Sequence, residues 1–268
     1  MSRLSIEESF RKAKKEQRTV FIAFTCCGFV DAEDTVDVLL ALEEGGTKII
    51  ELGIPFSDPQ ADGPTIQRAH QRGVDQKISL KDVLSTVRAA REKGLKVPVV
   101  LMGYYNNFLQ YDRDTTLCKD VSEAGADGFI IVDLPPEEAV GLSKCAKENG
   151  LSYIPLISPT TSDERIGVIN SIAHGFIYCV SLNGVTGERK ELAPDLHEFI
   201  TRIRDRVSEP LALGFGLSTR EHFLEAGKTA DAVVMGSRII QAIESAEPAN
   251  TLGRAEAVRQ FCTSITQP

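Results

Sequence analysis

Eight times along the chain a short apolar run is followed by a stretch with helical spacing. The apolar runs are Val20–Thr25, Lys48–Leu52, Val97–Met102, Gly128–Val132, Ser152–Ile157, Gly175–Val180, Leu211–Gly214 and Ala232–Met235. Most are continuous rather than alternating, the pattern of strands buried on both faces of a parallel sheet. The helical stretches are Ala32–Glu44, Pro64–Arg72 with Leu80–Glu92, Thr115–Ala124, Pro136–Glu148, Ser162–Ser171, Pro194–Arg206, Thr219–Ala226 and Ser237–Ala246. Two more lie outside the units, at Ser5–Glu16 and Thr251–Thr263. Glycines at 45, 94, 125, 150 and 227 read as helix stops, and prolines at 64, 136 and 194 as helix starts.

Eight such units favour a closed barrel over an open doubly wound sheet. The length of 268 residues suits a barrel of about 250 residues, although two small domains would also fit. The expectation is a single (β/α)8 TIM barrel over residues 1–268, with an extra N-terminal helix and a C-terminal helix. One connection is long and polar, Ser181–Pro194, and reads as a lid expected to be poorly ordered over Ser181–Leu192 without ligand.

Charge and composition narrow the partners. Thirty basic and 38 acidic side chains leave a net charge of −8, which disfavours nucleic acid or an anionic membrane. A small anionic ligand stays open, because backbone N–H groups hold phosphate without Lys or Arg. No stretch approaches the roughly 18 apolar residues of a membrane span. The first residues carry no apolar signal block, so a cytoplasmic protein with six reduced cysteines is expected.

The barrel rule places the site at the C-terminal ends of the strands. The second strand ends at Glu51, among Ile49, Ile50, Leu52 and Ile54, a setting that raises a carboxyl pKa toward the range of a proton shuttle. Asp62 follows in a loop punctuated by Pro and Gly and reads as its partner, since two carboxylates in different surroundings can divide acid and acceptor roles. Asp58, in SDP, reads as a turn cap. GFGLS and MGSRII follow the seventh and eighth strands, where barrels hold phosphate, and Ser237 starts a helix there. Tyr178 is open between core and site. The histidines at 70, 174, 197 and 222 read as surface or cap residues rather than catalysts. No grouping suggests a metal, and no dinucleotide fingerprint follows the first strand.

The block IELGIPFSDPQADGPTIQ closely resembles the signature of the tryptophan synthase α subunit family. PVVLMGYYN, GADGFIIVDLPPEE, YCVSLNGVTG, LGFGLS and MGSRII continue the likeness in order over roughly residues 5–262. The resemblance implies retro-aldol cleavage of indole-3-glycerol phosphate to indole and glyceraldehyde 3-phosphate. It implies no metal or organic cofactor, pyridoxal phosphate belonging only to a β partner. By match to the family's motifs, Glu51 moves protons, Asp62 meets the indole N–H, and Tyr178 is the active-site tyrosine. Gly187, Gly216, Gly236 and Ser237 match the phosphate cradle, and Thr186 the lid threonine. Phe24, Ile130 and Ile157 match the indole pocket. The chain departs from the family at Cys26 and Cys27, at Gln60, at Asn107 and in the lid. Gln60 and Asn107 fall where the family docks a β subunit. The implied partner is therefore a separate or fused β component, with a stand-alone lyase releasing free indole as the alternative. A non-catalytic activator subunit and another phosphosugar barrel are the remaining readings.

Overall fold

The computed structural model describes residues 3–111, 116–180, 196–214, 216–246 and 248–267. Nine strands form one parallel sheet: β1 (Val20–Cys26), β2 (Ile49–Gly53), β3 (Val99–Gly103), β4 (Gly128–Ile131), β5 (Ser152–Tyr153), β6 (Leu156–Ile157), β7 (Ile177–Val180), β8 (Leu211–Gly214) and β9 (Ala232–Met235). Their order is β5-β4-β3-β2-β1-β9-β8-β7-β6, so β5 and β6 stand at the two ends. These two are halves of one predicted strand. The Ile154 N–H donates to Phe129 on the β4 side, and the Tyr178 N–H donates to Pro155 O on the β7 side. The segment therefore closes the sheet into an eight-membered barrel. It is interrupted because Pro155 has no N–H to give to a ladder.

The helices are α1 (Ile6–Lys15), α2 (Ala32–Glu44), α3 (Pro64–Asp75), α4 (Leu80–Glu92), α5 (Tyr105–Tyr111), α6 (Leu117–Ala124), α7 (Val140–Glu148), α8 (Asp163–Ile172), α9 (Leu196–Arg204), α10 (Arg220–Ala226), α11 (Ser237–Glu244) and α12 (Thr251–Thr266). Two differ from the sequence reading. The helix expected from Pro136 begins at Val140, because Glu138 and Ala139 are tied back to Pro135 O in a turn. The short α5 was not expected. Its start is fixed by Asn107, whose Oδ1 accepts from the Tyr104 N–H at 3.1 Å, and whose amide donates to Pro55 O at 3.0 Å.

The barrel has a closed bottom. Ser5 and Glu8 form a reciprocal cap that starts α1. Its Phe10 packs on Phe176 just ahead of β7, with ring centroids 5.8 Å apart. Arg3 reaches Asp127, just ahead of β4, at 2.9 Å. These contacts lay α1 across the N-terminal ends of the strands, leaving the opposite end for a site. No helix among the described residues is long and apolar enough to cross a membrane.

Candidate active site

Glu51 sits in β2 between Phe24 of β1 and Val100 of β3 in the ladder register. It is wholly buried, and neither carboxyl oxygen has a hydrogen-bond partner. Burying an unpaired carboxylate costs too much to persist, so the group takes up a proton instead. Desolvation pushes its pKa to about 8. The direction of this shift and its cause are those expected from the apolar residues around Glu51 in the sequence.

Asp62 is also buried, yet its surroundings are polar. Its Oδ2 accepts from the Tyr104 hydroxyl at 2.7 Å. The same oxygen lies 3.6 Å from His70 Nε2. Its loop is anchored by Gln67, whose amide donates to Asp62 O at 2.8 Å, and by the Ala61 N–H, which donates to Tyr104 Oη at 3.0 Å. Phe56 stacks on Tyr104 with centroids 4.8 Å apart, sealing the loop over the ring. Asp58 is exposed and bonds to Ser57, consistent with its turn reading.

Both carboxyl groups line one cavity. Phe24, Met102 and Tyr178 add apolar wall. Two glycines make room for Phe24. A Cβ on Gly53 would lie 2.8 Å from the ring, and one on Gly236 would lie 3.2 Å from it. A Cβ on Gly214 would collide with the Tyr178 hydroxyl, so that strand-end glycine lets the tyrosine lie across β8. Burial, then the nearby Glu51 and Asp62 charges, raise the Tyr178 pKa and keep it a neutral phenol.

The far wall is Gly216, Leu217, Ser218, Gly236, Ser237 and Arg238. Gly216 has φ +76°, a conformation open to glycine. Gly236 caps α11 and Ser237 is its first residue, so the start of the helix forms part of the cavity wall. The cavity thus has a helix N-terminus, a setting that favours an anion, at one end and, across an apolar gap, two carboxyl groups. No group of three or more His, Cys, Asp or Glu that could hold a metal ion exists among the described residues.

Seven of the eleven site residues read from the sequence converge here: Phe24, Glu51, Asp62, Tyr178, Gly216, Gly236 and Ser237. Ile130 and Ile157 do not reach this wall. Ile130 is fully buried in β4 in register with Met102, and it is Met102 that fronts the cavity. Ile157 ends β6 and faces a separate hollow with Leu134 and Val180. Thr186, Gly187 and the expected lid lie outside the described residues. The sequence reading missed Tyr104 and misplaced His70. His70 is only 3% exposed. The signal was available: Ile66, Ala69, His70 and Gly73 are the buried face of α3, at helical spacing. Asn107, read from the sequence as a β-facing position, is half-buried, and its side chain bonds to the Tyr104 N–H and to Pro55 O.

Comparison with known proteins shows the family and the fold. A family model described as tryptophan synthase alpha chain matches residues 10–266. The tryptophan synthase alpha chain of Roseiflexus castenholzii is 43% identical over 255 residues, covering 95% of this chain and 97% of that one. The tryptophan synthase of Saccharomyces cerevisiae is 47% identical over 236 residues, covering 88% of this chain but 33% of that protein. The crystal structure of tryptophan synthase subunit alpha from Legionella pneumophila superposes with a TM-score of 0.89 at 37% identity, covering 98% and 97% of the two chains.

Proposed function

The chain belongs to the tryptophan synthase alpha chain family, and from that premise we propose how its residues divide the work of cleaving indole-3-glycerol phosphate. The reaction is a carbon–carbon lyase step of tryptophan biosynthesis that yields indole and glyceraldehyde 3-phosphate. The observation that carries the assignment is Glu51: a buried, unpartnered carboxyl group that desolvation holds protonated at neutral pH, facing the same cavity as Asp62.

The substrate phosphate docks at Gly216, Gly236 and Ser237, where the α11 N-terminus supplies N–H donors and a favourable dipole. That orients the indole ring toward Phe24, Met102 and Tyr178. Glu51 donates its proton to indole C3, and positive charge appears at the ring nitrogen. The Asp62 carboxylate accepts the indole N–H and stabilises that charge in a water-poor site. The bond from C3 to the hydroxyl-bearing carbon then breaks, its electron pair returning to the ring. The hydroxyl loses its proton to the Glu51 carboxylate and becomes the aldehyde. Glu51 ends protonated, ready for the next turnover. No cofactor enters these steps, and pyridoxal phosphate would act only on a β partner.

A β component, separate or fused, is the proposed recipient of the indole. The deciding measurement is steady-state indole formation by the purified chain, with and without a β subunit. Weak turnover alone and a large rise with the partner supports the α-component role. Full turnover alone, unchanged by the partner, supports the stand-alone reading. Absence of indole under both conditions overturns the lyase assignment.

A further inference from the structure

Cys26 ends β1, and His70 lies in the second turn of α3; both are buried beside Asp62 and neither has a part in the chemistry above. Two groups face His70 Nδ1. The Phe56 N–H donates to it at 3.2 Å, and Cys26 Sγ lies 3.9 Å away, with Cys27 O a second acceptor for the thiol at 3.8 Å. Burial, first, and then the nearby Cys27 and Asp62 charges raise the Cys26 pKa, so it remains a thiol with a proton to offer. A ring nitrogen that accepts carries no proton, so neutral His70 bears its hydrogen on Nε2. Asp62 Oδ2 lies 3.6 Å from that nitrogen. This is longer than a hydrogen bond, as catalytic contacts often are before substrate binds. Tyr104 donates to the same oxygen. No described residue engages Oδ1.

We propose that Cys26 and His70 are positioning residues that set the orientation of Asp62, holding Oδ2 from behind together with Tyr104 so that Oδ1 is presented to the substrate's ring N–H. The pair rests on the reading of Asp62 given above. The Phe56 N–H fixes the tautomer, Cys26 supports it against the same nitrogen, and His70 delivers the donor. Neither touches the substrate. A histidine that merely fills the core would share the burial, but its loss would change stability without changing the behaviour of Asp62.

The test compares His70→Leu, His70→Asn, Cys26→Ala and Cys26→Ser with the parent chain and with Asp62→Asn. Each is assayed for indole release with a β subunit present, and each is melted to verify folding. In His70→Leu, kcat is expected to fall about tenfold to a hundredfold, the worth of one hydrogen bond to a charged group, with KM little changed. His70→Asn retains a donor amide and recovers part of the loss. Cys26→Ala loses less than His70→Leu, and Cys26→Ser restores a donor and the rate. Nitrogen NMR of labelled histidine gives a readout independent of turnover. The signal removed by His70→Asn should show a bare Nδ1 and a protonated Nε2, and the Nε2 proton should shift in Asp62→Asn. A protonated Nδ1, or a full rate in folded His70→Leu while Asp62→Asn is inactive, overturns the pair alone. Full activity in Asp62→Asn overturns the reading of Asp62, and the pair with it.

Discussion

Glu51 and Asp62 are the same chemistry placed in opposite surroundings. Glu51 has an apolar shell and no hydrogen-bond partner, while Asp62 has a phenol at 2.7 Å and a histidine beyond it. In the proposed mechanism the first is the proton donor and the second the charge acceptor, a division that such contrasting surroundings suit. Glu51→Gln should abolish indole release while the melting curve shows a folded protein; unchanged release would remove Glu51 from the mechanism. The raised pKa also sets the sign of a stability effect. Folded Glu51 binds its proton up to about pH 8, whereas unfolded Glu51 releases it near the ordinary carboxyl value of 4.5. Its contribution is thus fully present below pH 4.5 and is lost as pH rises through about 8. Glu51→Gln removes that loss. It should match the parent near pH 4.5 and exceed it at pH 9 by a few kcal/mol, at about 1.4 kcal/mol per pH unit between the two values. Denaturant titrations at the two pH values check this, and a parent that stays equally stable counts against a buried neutral Glu51. By the same logic, kcat/KM should decline as pH rises through about 8.

At the scale of elements, the strand ends need glycine for reasons of space. Gly214 lies under the Tyr178 hydroxyl, and Gly236 both caps α11 and lies against Phe24. Gly214→Ala forces the tyrosine out of its place in the cavity. It is expected to cost about 1–3 kcal/mol of stability, as overpacking does, and to lower kcat in the folded fraction. Gly236→Ala brings a methyl to 3.2 Å from Phe24 at the mouth of the anion end. It should raise KM for the phosphorylated substrate more than it lowers kcat, and a competition assay with inorganic phosphate would show the same weakening. Helix α3 is the element that places His70. Gly73, on the same face, sits so close to Pro55 and to Cys27 O that a side chain there would collide. The close approach of α3 to the β2 loop is what brings the imidazole against Asp62.

Over the whole molecule, the two ends of the barrel carry different burdens, as the fold requires. At the bottom, Asp127 joins Arg3 and Arg91, each at 2.9 Å, and accepts from the Val99 N–H at 2.8 Å. Burial raises the Asp127 pKa, and the two guanidinium groups oppose that rise. Asp127→Ala leaves Arg91 short of a buried partner. It should cost about 3–5 kcal/mol of stability, the usual penalty for breaking a buried pair, yet leave kcat unchanged below the melting range. A large loss of kcat at low temperature would show that the bottom of the barrel communicates with the site.

The sequence alone determined the architecture, because buried parallel strands and amphipathic helices write their periods directly into residue order. It also marked Glu51, whose apolar neighbours are adjacent in sequence, and the glycines after β8 and β9, whose position follows from the barrel rule. The tertiary structure decided what depends on distant segments meeting. Tyr104 reaches Asp62 across 42 positions of sequence, and Cys26 reaches His70 across 44. Neither contact leaves a local pattern beyond the buried face of α3. The split of the fifth strand at Pro155, and the choice of Met102 over Ile130 at the cavity wall, likewise follow from barrel closure and strand register. Period and local composition are properties of short windows; the orientation of a carboxylate is set by what the fold packs behind it.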